Sequence, residues 1–165
     1  MSTIAITRAN NRNSLVGSIA FGGIIIGTLH LIIQQFLFFS LIGRIPLTAV
    51  EQFIASGALG NAAFAGGLAT ALLGVLFHYL TCLVVAGVFI LSVARIPLLR
   101  RNVIVGSLLY GIGVCIVMNW VVLPLSAAPP LPLTLFGVIE LIIEHTLIIG
   151  LPLGILVRRN ANADQ

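Results

Sequence analysis

From Leu15 to Ile42 the chain carries no formal charge, and the same holds from Ala62 to Ala94 and from Val103 to Leu125. A fourth apolar stretch, Leu133 to Val157, contains Glu140 and Glu144 and ends at Arg158-Arg159. An α-helix rises about 1.5 Å per residue, so about 20 apolar residues cross the roughly 30 Å of bilayer hydrocarbon. A secretory h-region is only about 7–15 residues, which excludes a signal peptide for the first stretch. Inside lipid each peptide group must find its partner within the segment or in a closed barrel. Runs this long select helices. The expected fold class is therefore all-α: an integral membrane bundle of four transmembrane helices at about 15–42, 66–94, 103–125 and 133–157.

Charge supports the same solvent. Charged residues make up 7% of the chain, against about 25% in soluble domains. The net charge of +4 comes from arginine alone. These arginines sit singly or in pairs at the ends of apolar runs, without the interleaved basic and aromatic pattern of a nucleic-acid surface. No nucleic-acid partner is expected; the lipid bilayer is.

The arginines also orient the chain. Arg8 and Arg12 precede the first span, Arg95, Arg100 and Arg101 lie between the second and third, and Arg158 and Arg159 follow the fourth. Only Arg44 falls on the other side. The positive-inside rule places both termini in the cytoplasm, and an even number of spans likewise requires them to share a side. This makes residues 1–14 a polar, frayed cytoplasmic N-terminus, 15–157 one transmembrane domain, and 158–165 a cytoplasmic tail.

Between the first two spans, Thr48-Ala49-Val50-Glu51 has capping-box spacing and Val50, Phe53 and Ile54 follow at helical intervals. A short amphipathic helix at the membrane interface is expected here, with an ordinary loop as the alternative. Gly57 to Asn61 reads as a turn. Ser126 to Pro132 contains three prolines and cannot be helical.

A hydrophobic anchor has no need of ionisable groups at mid-depth, where each costs about 2.5–3.5 kcal/mol on insertion scales. This chain places His30 in the first span, His78 in the second, Asn119 in the third, and Glu140, Glu144 and His145 in the fourth. Small residues share their helical faces. Gly23 and Gly27 precede His30 and Gln34; Gly67, Ala71 and Gly74 precede His78 and Thr81; Ser107, Gly111 and Cys115 precede Asn119; Gly137 precedes Glu140 and Glu144. Small residues let membrane helices approach closely, so the polar groups are expected where helices meet. Gly23-x-x-x-Gly27 and Gly150-x-x-x-Gly154 fit either internal packing or dimerisation.

Three uses of the polar cluster stay open. The groups can specify packing alone, as in a structural or accessory subunit. They can support proton- or small-solute-linked activity, since Glu140 and Glu144 share a face and histidine exchanges protons near neutrality. They can also form an intramembrane metal or haem site. Against the last, His145 lies about 100° around the helix from Glu144 and no H-E-x-x-H or H-x-x-E-H spacing occurs. Neither G-x-S-x-G nor a P-loop is present. Cys82 and Cys115 sit in apolar runs outside any C-x-x-C spacing and read as packing residues. No metal, cofactor or catalytic residue is assigned, and a non-enzymatic protein is expected. A homo-oligomer or another membrane subunit is the partner that this architecture allows.

Ile54-Ala-Ser-Gly-Ala-Leu-Gly60, then Phe64-x-Gly-Gly67-x-x-Thr70-Ala71-x-x-Gly74-x-x-x-His78, is followed by Tyr110-Gly111, Met118-Asn119, Pro124-Leu-Ser-Ala-x-Pro129, His145 and Gly150-Leu-Pro152. In this order the motifs resemble small bacterial inner-membrane proteins of the YagU-like group, across most of the chain. The resemblance implies a bacterial plasma-membrane location and a link to acid resistance, but no reaction. His78, Asn119 and His145 match its positions. His30 departs from it, because an acidic residue is expected after Gly27-Thr28-Leu29.

Overall fold

In a computed structural model, the structure describes residues 2–132 and 134–163, with side chains left out at 2–14, 38, 40–41 and 160–163. The first span is helix α1, Ser2–His30, continued by a π-helical stretch Leu31–Ile42. α2 is Leu47–Leu59, α3 is Gly67–Arg95 and the short α4 is Pro97–Arg101. α5, Val103–Val117, continues through π turns at Met118–Val122 to Leu125. α6, Leu135–Glu144, continues through π turns at His145–Gly150 into Leu151–Ala163. No strand occurs among the described residues. Helices long and apolar enough to cross a membrane cover Leu15–Leu37, Gly67–Arg95, Val103–Leu125 and Leu135–Arg159. The chain is a multi-pass, all-α membrane protein.

The expected boundaries need three changes. The helix of α1 begins at Ser2 and runs through the polar N-terminus that was expected to fray; the side chains of Arg8 and Arg12 lie outside the described ones. α6 begins at Leu135, because the Thr134 hydroxyl accepts the Gly137 amide at 3.1 Å and caps the helix there; Leu133 lies outside the described residues. α2 forms as expected but without a capping box. Its N-cap is Pro46, and neither Glu51 carboxylate oxygen has a hydrogen-bond partner. Gly57 is inside α2, and Gly60–Ala65 is a 3-10 helix.

Adjacent spans run antiparallel. A Cβ on Gly23 would lie 2.8 Å from the Leu83 Cα, and one on Gly27 would lie 2.9 Å from the Tyr79 ring. Gly22 faces Leu153 and Leu156, so the early part of the first span lies beside the late part of the fourth. Gly111 lies against the backbone of His145 and Thr146, Gly150 against Ser107, and Gly154 against the Ser107 side chain. The bundle is up-down-up-down, with both termini at one end. Both small-residue pairs therefore serve packing inside the chain. Gly67 is the exception among the small residues expected to pack: no atom would meet its Cβ within 4 Å, and its φ of 58° explains the glycine instead.

Packing is uneven along the bundle axis. A core of Ile26, Cys82, Ala86, Phe89, Val93, Val114, Ile149 and Leu153 packs the bundle on the side of the termini, and its Ile26, Cys82, Val114 and Ile149 also form the floor of the cavity. Leu68, Leu72, Leu76, Leu80 and Val84 form an exposed stripe on α3, the side expected to meet lipid. In the other half the helices enclose a cavity, over which α2 and the proline-rich segment lie.

α2 contributes an inverted face. Its buried residues are Glu51, Gln52, Ala55 and Ser56. Gly74 lets the α2 backbone at Glu51 lie directly on α3, while the Gln52 amide donates to the Gly67 carbonyl at 2.9 Å and the Thr70 hydroxyl at 3.3 Å. The polar side of α2 thus holds it to α3. Burial raises the Glu51 carboxyl from 4.5 to about 7.

Candidate functional site

Two prolines prepare the site. Pro124 and Pro152 each lack an amide proton, and each ring crowds the carbonyl four residues earlier. The helix preceding each has widened into π turns, Met118–Val122 before Pro124 and His145–Gly150 before Pro152. Such turns release backbone carbonyls and redirect side chains. In α6 the freed positions are used locally: the Thr146 hydroxyl donates to the Ile142 carbonyl at 2.6 Å, and His145 Nδ1 lies 2.9 Å from the Leu141 carbonyl. The α1 change at Leu31 follows directly on His30.

At this level the spans bring together His30, His78, Glu144 and His145. The His30 and His78 ring centroids are 5.0 Å apart, and those of His30 and His145 are 6.1 Å apart. Glu144 stands between two imidazoles. Its Oε1 lies 2.9 Å from His30 Nε2 and its Oε2 lies 2.5 Å from His145 Nδ1. Both are ion-pair distances but out of line for a hydrogen bond, so neither oxygen has an aligned donor. His30 Nδ1 is buried and has no partner.

Tautomers follow from the partners. A carbonyl only accepts, so His145 Nδ1 carries its proton toward Leu141, with the Glu144 carboxylate beside it at ion-pair distance. His78 Nε2 donates to the Gly27 carbonyl at 2.9 Å, leaving Nδ1 to accept from the Gln35 amide at 3.4 Å. His78 is thereby saturated and held as a wall. Of the four, Glu144 and His30 have bonding capacity to spare, as does the buried Gln35 Oε1 beside His78.

The other expected residues fall around this centre. Glu140 accepts from the Gln34 amide at 2.6 Å, one turn from Glu144. Asn119 lines the same cavity but donates to the Cys115 carbonyl of its own helix at 3.0 Å, which leaves it outside the contact group. Spacing along α6 suggested that Glu144 and His145 diverge. They meet, because His145 opens the π segment. Among the described residues no set of three or more His, Cys, Asp and Glu is arranged to hold a metal ion. Gln35, 1% exposed, was not singled out from the sequence; its adjacency to Gln34 masked a side chain that faces His78.

The cavity has a volume of about 730 Å³; His30, His78, Glu144 and His145 line it, and below them toward the termini it ends on apolar Ile26, Cys82, Val85 and Ile149. Phe53, Phe64, Phe77 and Met118 are among its walls, and exposed Ile45, Phe64 and Leu131 mark its mouth at the end away from the termini. A second, lateral groove of about 420 Å³ runs between α1 and α6, with Ile33, Phe136, Ile139 and Ile143 around Glu140 and Glu144. Glu144 lines both.

No family model matches the chain. No curated protein and no solved structure matches it either.

Proposed function

We propose that this is a non-enzymatic inner-membrane protein of bacteria, with both termini cytoplasmic, whose Glu144-centred cluster couples protons to the handling of a small solute. The observation that carries the reading is the position of Glu144: one carboxylate oxygen against each of two histidines, and one side chain shared by cavity and groove. A carboxylate between two imidazoles can pass a proton from either ring without large motion. The arginine bias supports the orientation, and the order of small-residue and histidine motifs supports kinship with the YagU-like group. With that orientation the cavity mouth faces away from the cytoplasm, and the packed half of the bundle closes the cytoplasmic side.

A packing role suits a different subset. His78, Gln52, Thr70 and Asn119 spend their polar atoms on backbone carbonyls of neighbouring or own helices. These residues specify geometry around the site.

The test is proton uptake by proteoliposomes under an imposed pH gradient, followed with an internal pH dye. Wild type should exceed empty liposomes, and Glu144→Gln should return to the empty-liposome rate. Equal rates for wild type and empty liposomes, with and without candidate solutes, would remove the coupling and leave the packing role for the whole cluster.

A further inference from the structure

The cavity states what kind of solute it accepts. Its volume falls in the range of about 300–1,000 Å³ typical of small-molecule sites. Its body is apolar and aromatic, and its polar lining contains a carboxylate. Among the described residues no lysine or arginine lines either the cavity or the groove. An anion entering would meet Glu144 with no fixed positive charge to offset it. A neutral apolar molecule would leave Glu144, 5% exposed, without an aligned donor. A cation that displaces an imidazole from Glu144, whose two oxygens are buried against His30 and His145 in this state, satisfies the carboxylate and can pack against the aromatic walls.

We propose that the central cavity binds a lipophilic organic cation, with its charge against Glu144 and its apolar body among Phe53, Phe64 and Phe77. The inference rests on Glu144 as the proton-exchanging group and adds the substrate class. One negative charge takes one positive charge. Either a proton resides on Glu144, His30 or His145, or the organic cation occupies the site and that proton leaves by the cavity mouth. The titratable groups that feel Glu144 are His30 from α1, His78 and Cys82 from α3, Cys115 from α5, and Glu140 and His145 from α6. Among these, His30 and His145 reach it at ion-pair distance. The exchange is therefore a competition at one carboxylate.

The probe is tetraphenylphosphonium, measured by equilibrium binding to the full chain in lipid nanodiscs, with tetraphenylborate as an anion of the same shape. We expect saturable tetraphenylphosphonium binding, no saturable tetraphenylborate binding, and weaker cation binding in acid. Glu144→Gln should lower cation affinity about tenfold or more, the scale of one charge pair lost from a desolvated site. Glu144→Asp, which keeps the charge, should retain charge selectivity. Equal binding of the two probes by wild type overturns the proposal even if Glu144→Gln fails to fold, and so does undiminished cation affinity in a folded Glu144→Gln. Proton uptake that depends on Glu144, with no selective cation binding, sinks this inference and leaves the proton coupling standing. Selective cation binding without proton uptake does the reverse.

Discussion

Glu51 and Glu144 are both buried carboxylates, yet they face opposite circumstances. Glu144 has two imidazoles at ion-pair distance. Glu51, outside the membrane-spanning segments, has no partner on either oxygen, so burial acts on it unopposed and holds its carboxyl near 7. The folded state therefore binds the proton more tightly than the unfolded chain, whose carboxyl titrates at 4.5. That contribution to stability is full below 4.5 and is lost as pH rises through about 7. Thermal melts in detergent should show the midpoint falling across this window, and Glu51→Gln, neutral at every pH, should flatten the fall. A midpoint that rises with pH in wild type would contradict the unpartnered carboxyl. Glu51 also shows how a residue can be misread from spacing. Thr48 and Glu51 fit a capping box on paper, but the N-cap is Pro46 and the helix starts at Leu47, two residues earlier than that box requires, and the carboxylate turns inward to α3.

The helices carry the next lesson. Four apolar runs between arginines, three of them uncharged, made the spans, their number and the proline-rich break legible, because bilayer thickness and backbone satisfaction leave few alternatives. The convergence of His30, His78, Glu144 and His145 was only partly legible. Small residues marked the contact faces, but a constant 100° step placed His145 away from Glu144. The signal for the departure was present in Pro152, two residues beyond the π segment that His145 opens. Replacing it tests the link. Pro152→Ala restores a helix amide and removes the ring clash, an interior-proline penalty of about 3 kcal/mol. The variant should melt higher than wild type while losing proton uptake, since rewinding α6 carries His145 off the Glu144 carboxylate. A variant that melts higher and keeps full uptake would show that the widened turn is incidental to the site. In the opposite direction, Gly150→Leu should lower the melting point, because its side chain meets the Ser107 backbone of α5 and overpacking costs about 1–3 kcal/mol.

At the scale of the whole molecule, the two halves of the bundle differ in what they let through. Near the termini, Ala86, Phe89, Ile26 and Leu153 are at most 1% exposed and the helices meet through glycines. At the other end the same helices stand around a cavity capped by α2. The state described is thus open toward one compartment and shut toward the other, and any net transport requires the packed half to part. Accessibility measures this directly in a background lacking Cys82 and Cys115. A cysteine at Thr81, on the cavity wall, should react with a membrane-impermeant thiosulfonate added from the face opposite the termini. A cysteine at Ala86, one turn and more deeper in α3 and 0% exposed, should stay unreactive from either face. Arg100→Cys, between α3 and α5, should react only from the face that carries the termini. Reaction of the Thr81 position from the terminal side, at a rate matching the Arg100 position, would mean that the core below His78 does not seal the bundle. The cavity would then be a pore, and a binding site alternately exposed to two compartments would no longer describe it.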